Sequence, residues 1–249
     1  TASLYPRRRA VAQRGRRSCL LYPSPRPRDG RRSRMAGAGG ALRAAGAIPI
    51  GKVHTTEFAF FDPSPARNPH DLGHTPGGSS SGSAAAVAAG MVPAALGTQT
   101  GASVNRPASY CGVAAFKPST GSLSTFGVTP LAPMYDTVGF FGGTVADAVM
   151  LYCAMRRGAI PSGPLHPLNV VRLEDPLLKS ASTDVANVMN VASDRIRAAG
   201  HTVEVRRAPV SLADVGERQW FTAQWQMARM HSDKREEPLV GERFRDMLE

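Results

Sequence analysis

Cysteine is nearly missing from this chain: Cys19, Cys111 and Cys153 are three in 249 residues, an odd number without CxxC spacing. That pattern excludes a disulfide framework and a cysteine-bound zinc, and it sets the expectation of a reducing, cytoplasmic setting. The six histidines are scattered without metal-ligand spacing, so no metal site is expected. Long apolar runs are absent. No stretch approaches the ~20 residues of a membrane span, and none has the length of a secretory signal core. Lysine is scarce as well: of 30 basic residues, only Lys52, Lys117, Lys179 and Lys234 are lysines. No internal repeat is evident.

Arginine makes up the difference, and it is unevenly placed. A formal net charge of +11 would by itself suggest nucleic acid or an acidic membrane as partner. Residues 1–35, however, hold eleven arginines against a single acid, Asp29, for a charge of +10, which leaves +1 for residues 36–249. The basicity belongs to the tail. Its arginines and prolines follow neither helical nor strand periodicity, and such a composition does not offset the entropy of ordering, so a disordered tail is expected. Nucleic acid would be bound through this tail if at all. An organelle transit peptide shares the Arg- and Ser-rich, acid-poor composition, but the amphipathic spacing is missing.

Residues 36–249 are read as one globular domain with a sizeable core, in a chain that is 42% hydrophobic. Gly40–Ala45 reads as the end of a helix closed by Gly46, Ala47–Ile50 as a buried strand, and Thr55–Phe61 as a short helix packing its phenylalanines. An alanine-rich helix follows, capped by Ser81 or Ser83 and stopped by Gly90. Ala94–Leu96 and Asp136–Phe141 read as strands, and Val145–Arg157 as a helix with arginines at its C-terminal end. Next come a strand, Asn169–Leu173, and a helix over Thr183–Ala199 with Val185, Val188, Ala192, Ile196 and Ala199 on one face. A strand over His201–Arg206 and helices over Trp220–Met230 and Arg243–Leu248 complete the series. The alternation predicts an α/β fold: a mixed β-sheet core covered by helices. The helix with Trp220 and Trp225 asks for a partner surface, which keeps homo-oligomerisation open.

The stretch from Gly73 to Pro118 organises the rest. Four serines, Ser79, Ser80, Ser81 and Ser83, crowd one Gly/Ser loop, and Ser103 closes a second glycine turn. A Gly/Ser linker accounts for most GGSSSG strings, but linkers do not run directly into a compact alanine helix, a strand and another turn. A serine beside exposed backbone N–H groups suits acyl transfer; the plainer reading has Ser103 capping the helix that follows. His74, near the loop, is a tempting base, although loop histidines more often sit solvated or hydrogen-bonded. Gly46–Lys52 nearly spells a phosphate-binding loop, yet Val53 stands where magnesium needs Ser or Thr, and Pro49 with two isoleucines makes a poor cradle.

Residues 77–86 (GGSSSGSAAA), 97–109 (GTQTGASVNRPAS), 112–121 (GVAAFKPSTG) and 45–58 (AGAIPIGKVHTTEF) resemble segments of the amidase signature family. The resemblance covers residues 36–157 well and the remainder weakly. It implies amide C–N hydrolysis without metal or organic cofactor, acting on a small-molecule amide. Residue by residue, it implies Ser103 as nucleophile and Ser79, 24 residues earlier, as proton relay, with a cis peptide bond between Gly78 and Ser79 and the two hydroxyls within ~3 Å of each other. The backbone N–H groups of Thr100, Gly101, Ala102 and Ser103 are implied as the oxyanion hole. This chain departs from the family pattern in two places. Ala102 stands where glycine is usual, a cost of roughly 1–2 kcal/mol if that residue is left-handed. The family's general base, a lysine in a Lys-Asp segment well upstream of the first serine, has no counterpart, since Leu4–Ala10 there reads LYPRRRA and arginine stays protonated. Residues 1–35 are accordingly read as foreign to the fold, and residues 36–249 as a partial domain lacking much of the C-terminal half. The alternative function is a catalytically inactive fragment or a basic-tailed binding protein.

Overall fold

The computed structural model describes residues 19–23, 37–160, 166–234 and 240–248. Most of the basic tail therefore lies outside the described residues. The chain divides into two compact units, one running to Pro130 and resuming over Tyr135–Ala159, the other made of Leu131–Met134 with Ile160–Glu249. Residues 36–249, expected as one domain, are shared between them.

The first unit contains, in chain order, β1 (Cys19–Pro23), α1 (Gly37–Ala44), β2 (Ile48–Val53), α2 (Ser81–Ala88), β3 (Ala94–Gln99), α3 (Asn105–Tyr110), β4 (Ala114–Phe116), β5 (Thr137–Gly142) and α4 (Val145–Arg156). Its five-stranded sheet has the order β2-β1-β3-β5-β4. β1 runs parallel to both neighbours, β2 and β3, while β5 is antiparallel to β3 and to β4. The expected mixed sheet is present. β1 corrects the reading of residues 1–35 as a tail without strands: its backbone pairs Leu20 with Ala94 and Leu21 with Ala95. The arginines and prolines on either side obscure a run, Cys-Leu-Leu-Tyr, that has strand composition.

Two apolar cores lie on the two faces of this sheet, and side-chain alternation along β3 and β5 divides their residues. Ala95 and Phe141 face Ala84, Val87, Val104, Ala108 and Cys111 from α2, α3 and their flanks. Ala94, Leu96, Val138 and Phe140 face Ala38 and Leu42 of α1 and Ala148 and Leu151 of α4. A strand buried on both faces reads as a continuous apolar run, which is why β3 and β5 are legible in the sequence. Two expectations are corrected nearby. β2 is not buried: Ile48 and Ile50 are 38% and 53% exposed, because β2 forms the edge of the sheet. Thr55–Phe61 holds only a single 3₁₀ turn, Glu57–Ala59, with Phe58 and Ala59 left-handed; Phe60 is buried but Phe61 is half exposed.

The second unit pairs β6 (Asn169–Glu174) parallel to β7 (Thr202–Arg207) through the crossover helix α5 (Thr183–Ala198), followed by α6 (Leu212–Met230) and α7 (Glu242–Leu248). α6 starts eight residues before the expected Trp220, where the Ser211 side chain accepts from the Asp214 N–H. The Asp175 carboxylate, buried at the end of β6, accepts from the N–H groups of Leu177 and Leu212 and so joins the two segments. Two strands offer α5 little surface to cover. Val185 and Val188, on its expected core face, are largely exposed, while Ala192 and Ile196 line a groove with Val170, Arg172 and Leu212. Among the described residues no helix is long and apolar enough to cross a membrane.

Candidate active site

Both serine turns belong to the first unit, and β3 brings them together. α2 packs on the sheet with its first turn against the end of β2. Gly82 makes that approach feasible: its N–H donates to the His54 carbonyl at 2.9 Å, and a Cβ on Gly82 would lie 2.7 Å from the same oxygen. Gly97 does the equivalent on β3, where a Cβ would meet the Ser80 Oγ and the Phe141 ring at 2.6 Å each. The loop over 77–80 is thereby laid directly across the end of β3.

Three of the four loop serines are tied to backbone. Ser80 Oγ donates to the Thr98 carbonyl and accepts from the Thr98 N–H, both at 3.2 Å. Ser83 Oγ donates to the Leu96 carbonyl at 2.6 Å, and Ser81 Oγ to the Ser79 carbonyl at 3.4 Å. Neither Ser81 nor Ser83 caps α2, contrary to expectation; Ser80 sits at the N-cap without a capping bond, because β3 and the loop backbone take these hydroxyls instead. The fourth serine differs. Ser79 Oγ is buried and has no hydrogen-bond partner among the described residues, and the same is true of Thr56 Oγ1, whose own N–H donates to the Ser79 carbonyl at 3.1 Å. Buried polar groups without partners are uncommon in folded proteins.

The Gly78–Ser79 peptide is cis, as the resemblance implies. The expected hydrogen bond between the Ser79 and Ser103 hydroxyls is not formed; the turns meet instead through the Ser80 N–H, which donates to the Ser103 carbonyl at 3.2 Å.

The second turn is pinned by side chains that sequence reasoning passed over. Gln99 Oε1, buried at the end of β3, accepts from the N–H groups of Val104 and Asn105 at 2.8 and 3.0 Å and so closes the turn onto α3. Thr100 Oγ1 donates to the buried Asp136 carboxylate at 2.6 Å. Between these anchors, the N–H groups of Gly101, Ala102 and Ser103 donate to no acceptor among the described residues. Ala102 fits without the left-handed penalty, since neither it nor Gly101 has a positive φ. The polar signal that could have drawn attention to Gln99 is its place at the end of an otherwise apolar strand.

The remaining candidates lie elsewhere. None of the four lysines bonds to Ser79, and within the first unit Lys52 is exposed on β2 while Lys117 donates to the Pro118 carbonyl at 2.7 Å. Residues 48–53, part of the near match to a phosphate-binding loop, are strand. His74 is exposed and pairs with Asp71, whose carboxyl is held below its usual range first by the Gly73 N–H and then by His74. Cys111, behind α3, donates to the Pro76 carbonyl at 3.5 Å, and burial pushes its thiol up to about 11. At pH 8 its thiolate is therefore on the order of one part in a thousand. Iodoacetamide is expected to leave Cys111 unmodified in the folded protein and to alkylate it in denaturant, as read by peptide mass mapping; rapid native labelling would contradict its burial.

Comparison with known proteins gives the same direction. The chain is 49% identical over 115 residues to the glutamyl-tRNA(Gln) amidotransferase A-subunit of Treponema pallidum, which is 44% of this chain and 23% of that protein. Among solved structures, it superposes on a crystallised amidase with a TM-score of 0.76 at 30% identity, covering 93% of this chain and 57% of the other. The glutamyl-tRNA(Gln) amidotransferase A-subunit of Thermotoga maritima gives a TM-score of 0.64 at 26% identity, over 89% of this chain and 65% of that one. The chain thus spans about a quarter of the first relative's length. Residues 36–235 match the model of the amidase family, well over half the chain, and the chain belongs to that family.

Proposed function

We propose that this chain carries the serine machinery of an amide C–N hydrolase, with Ser103 as nucleophile and Ser79 as proton relay. The observation that carries the reading is the contrast within the first loop: three serines are tied to backbone, and Ser79 alone is buried with its hydroxyl unpartnered, beside the turn of Ser103. Ser103 Oγ attacks the amide carbonyl carbon while its proton passes through Ser79 to a base. The carbonyl oxygen becomes an oxyanion, and the unengaged N–H groups of Gly101, Ala102 and Ser103, with that of Thr100, are the donors offered to it. Collapse breaks the C–N bond, the returning proton leaves on the amine, and water hydrolyses the resulting serine ester. The substrate is a small-molecule amide in a reducing compartment, and no membrane or resident cofactor takes part. The exposed Phe221 and Trp225 of α6 are the surface on which a homo-oligomer would form.

One observation favours the alternative of an impaired or inactive family member: among the described residues no lysine bonds to Ser79, and a serine relay without a base loses about 10²–10⁴ in rate. Both readings are tested by amide turnover of the full chain over a panel of simple amides. Weak turnover that disappears in Ser103→Ala and in Ser79→Ala is expected. Turnover unchanged in Ser103→Ala would overturn the assignment, and robust turnover surviving Lys52→Ala would overturn the need for an upstream lysine.

A further inference from the structure

The backbone on both sides of Ser79 is held from several directions. Thr56 N–H and Ser81 N–H donate to the Ser79 carbonyl at 3.1 and 2.8 Å, and Ser80 N–H donates to the Ser103 carbonyl at 3.2 Å. Main-chain amides make these ties, so side-chain replacement leaves the donors in place. On the N-terminal side the tie is of another kind. Arg106, in the first turn of α3 and three residues after Ser103, donates from both Nε and Nη2 to the Gly78 carbonyl, at 3.0 and 2.9 Å.

We infer that Arg106 is a positioning residue: its guanidinium holds the Gly78 carbonyl, and thereby the backbone of Ser79, in fixed position relative to the turn of Ser103. Its role for chemistry rests on the reading of Ser103 and Ser79 given above. The geometry is specific to arginine. Two N–H groups of one rigid plane converge on one oxygen, a charge-assisted arrangement stronger than a neutral hydrogen bond, and a lysine ammonium has no such fork. The bond also spans 28 residues, from the second serine turn back to the first. A displacement of the nucleophile's turn and one of the relay's loop are therefore coupled through this side chain. Arg106 itself is exposed, and the neighbouring core is built from Ala84, Val104 and Ala108 rather than from its side chain. Its loss should therefore loosen the site while leaving the fold intact.

The test uses the full chain with Arg106→Gln and Arg106→Lys. Hydrogen exchange at the amides of Thr56, Ser80 and Ser81 is expected to accelerate about tenfold or more in Arg106→Gln, with the amides of β3 and β5 and the melting temperature unchanged. Phosphonylation of Ser103 by a fluorophosphonate is expected to slow by roughly 10–100-fold, the scale of a misplaced reacting group, with Arg106→Lys intermediate. Unchanged exchange at those three amides in a folded Arg106→Gln overturns the proposal. So does a uniform rise in exchange with a lowered melting temperature, which would make Arg106 merely a stabilising residue. Absence of labelling in the unmodified chain would count against the nucleophile assignment alone, and the exchange experiment decides the positioning role independently.

Discussion

A lysine delivered beside Ser79 is expected to raise amide turnover by about 10²–10⁴-fold, the usual value of a general base. The direction from which it would come follows from the sheet. β3 runs straight into the turn of Thr100–Ser103, and β1 lies beside β3 and parallel to it, so the C-terminal ends of both strands point to the same edge of the sheet. A base carried just beyond a strand in the place of β1 is directed to the serine turns. In this chain the residues after Pro23 read Ser-Pro-Arg-Pro-Arg, and a guanidinium is permanently protonated. The experiment replaces residues 1–35 by a Lys-Asp segment of the family type and compares it with the same chimaera carrying Lys→Met. A rise confined to the lysine version is expected. Equal turnover in the original chain and both folded chimaeras would contradict the need for the base.

The second large effect is on stability. Phe141→Ala is expected to cost about 3–5 kcal/mol, the range for deleting a fully buried aromatic side chain. Phe141 is 0% exposed and sits in the cluster of Ala84, Val87, Ala95, Val104 and Ala108, small residues that cannot collapse into the space a phenyl ring leaves. Phe61→Ala serves as the internal comparison: its ring is 51% exposed, so its loss is expected to change the urea midpoint little. Similar losses for the two variants, or less than about 1 kcal/mol for Phe141→Ala, would mean that the layer of α2 and α3 on the sheet is not packed as described.

These two phenylalanines also illustrate what was legible beforehand. Phe141 lies in the stretch Asp136–Phe141, which reads as a strand; the structure places a strand at Thr137–Gly142 and buries it on both faces. Phe61 is equally apolar, but the backbone before it turns left-handed at Phe58 and Ala59, which composition does not reveal. β1 was hidden for the opposite reason: five residues of strand composition lie among arginines and prolines whose charge dominates any window average. In the second unit the helical spacing of Val185 and Val188 defines a stripe, yet periodicity gives a face and not its covering, and two strands leave much of that stripe exposed. Of the site, the cis peptide between Gly78 and Ser79 was legible through the resemblance of the two serine turns to family segments, and it is present. The site was illegible where a role arises from tertiary approach. Gln99, Arg106 and the Thr100–Asp136 pair act through bonds to positions up to 36 residues away, and their sequence positions do not reveal those partners.

The nucleophile assignment is tested most directly by treating the folded full chain with a fluorophosphonate and locating the adduct by peptide mass mapping. The expected result is a single adduct on Ser103, slow for want of a base at Ser79 and absent in Ser103→Ala. An adduct on Ser79, Ser80, Ser81 or Ser83, or labelling that persists in Ser103→Ala, would contradict the account.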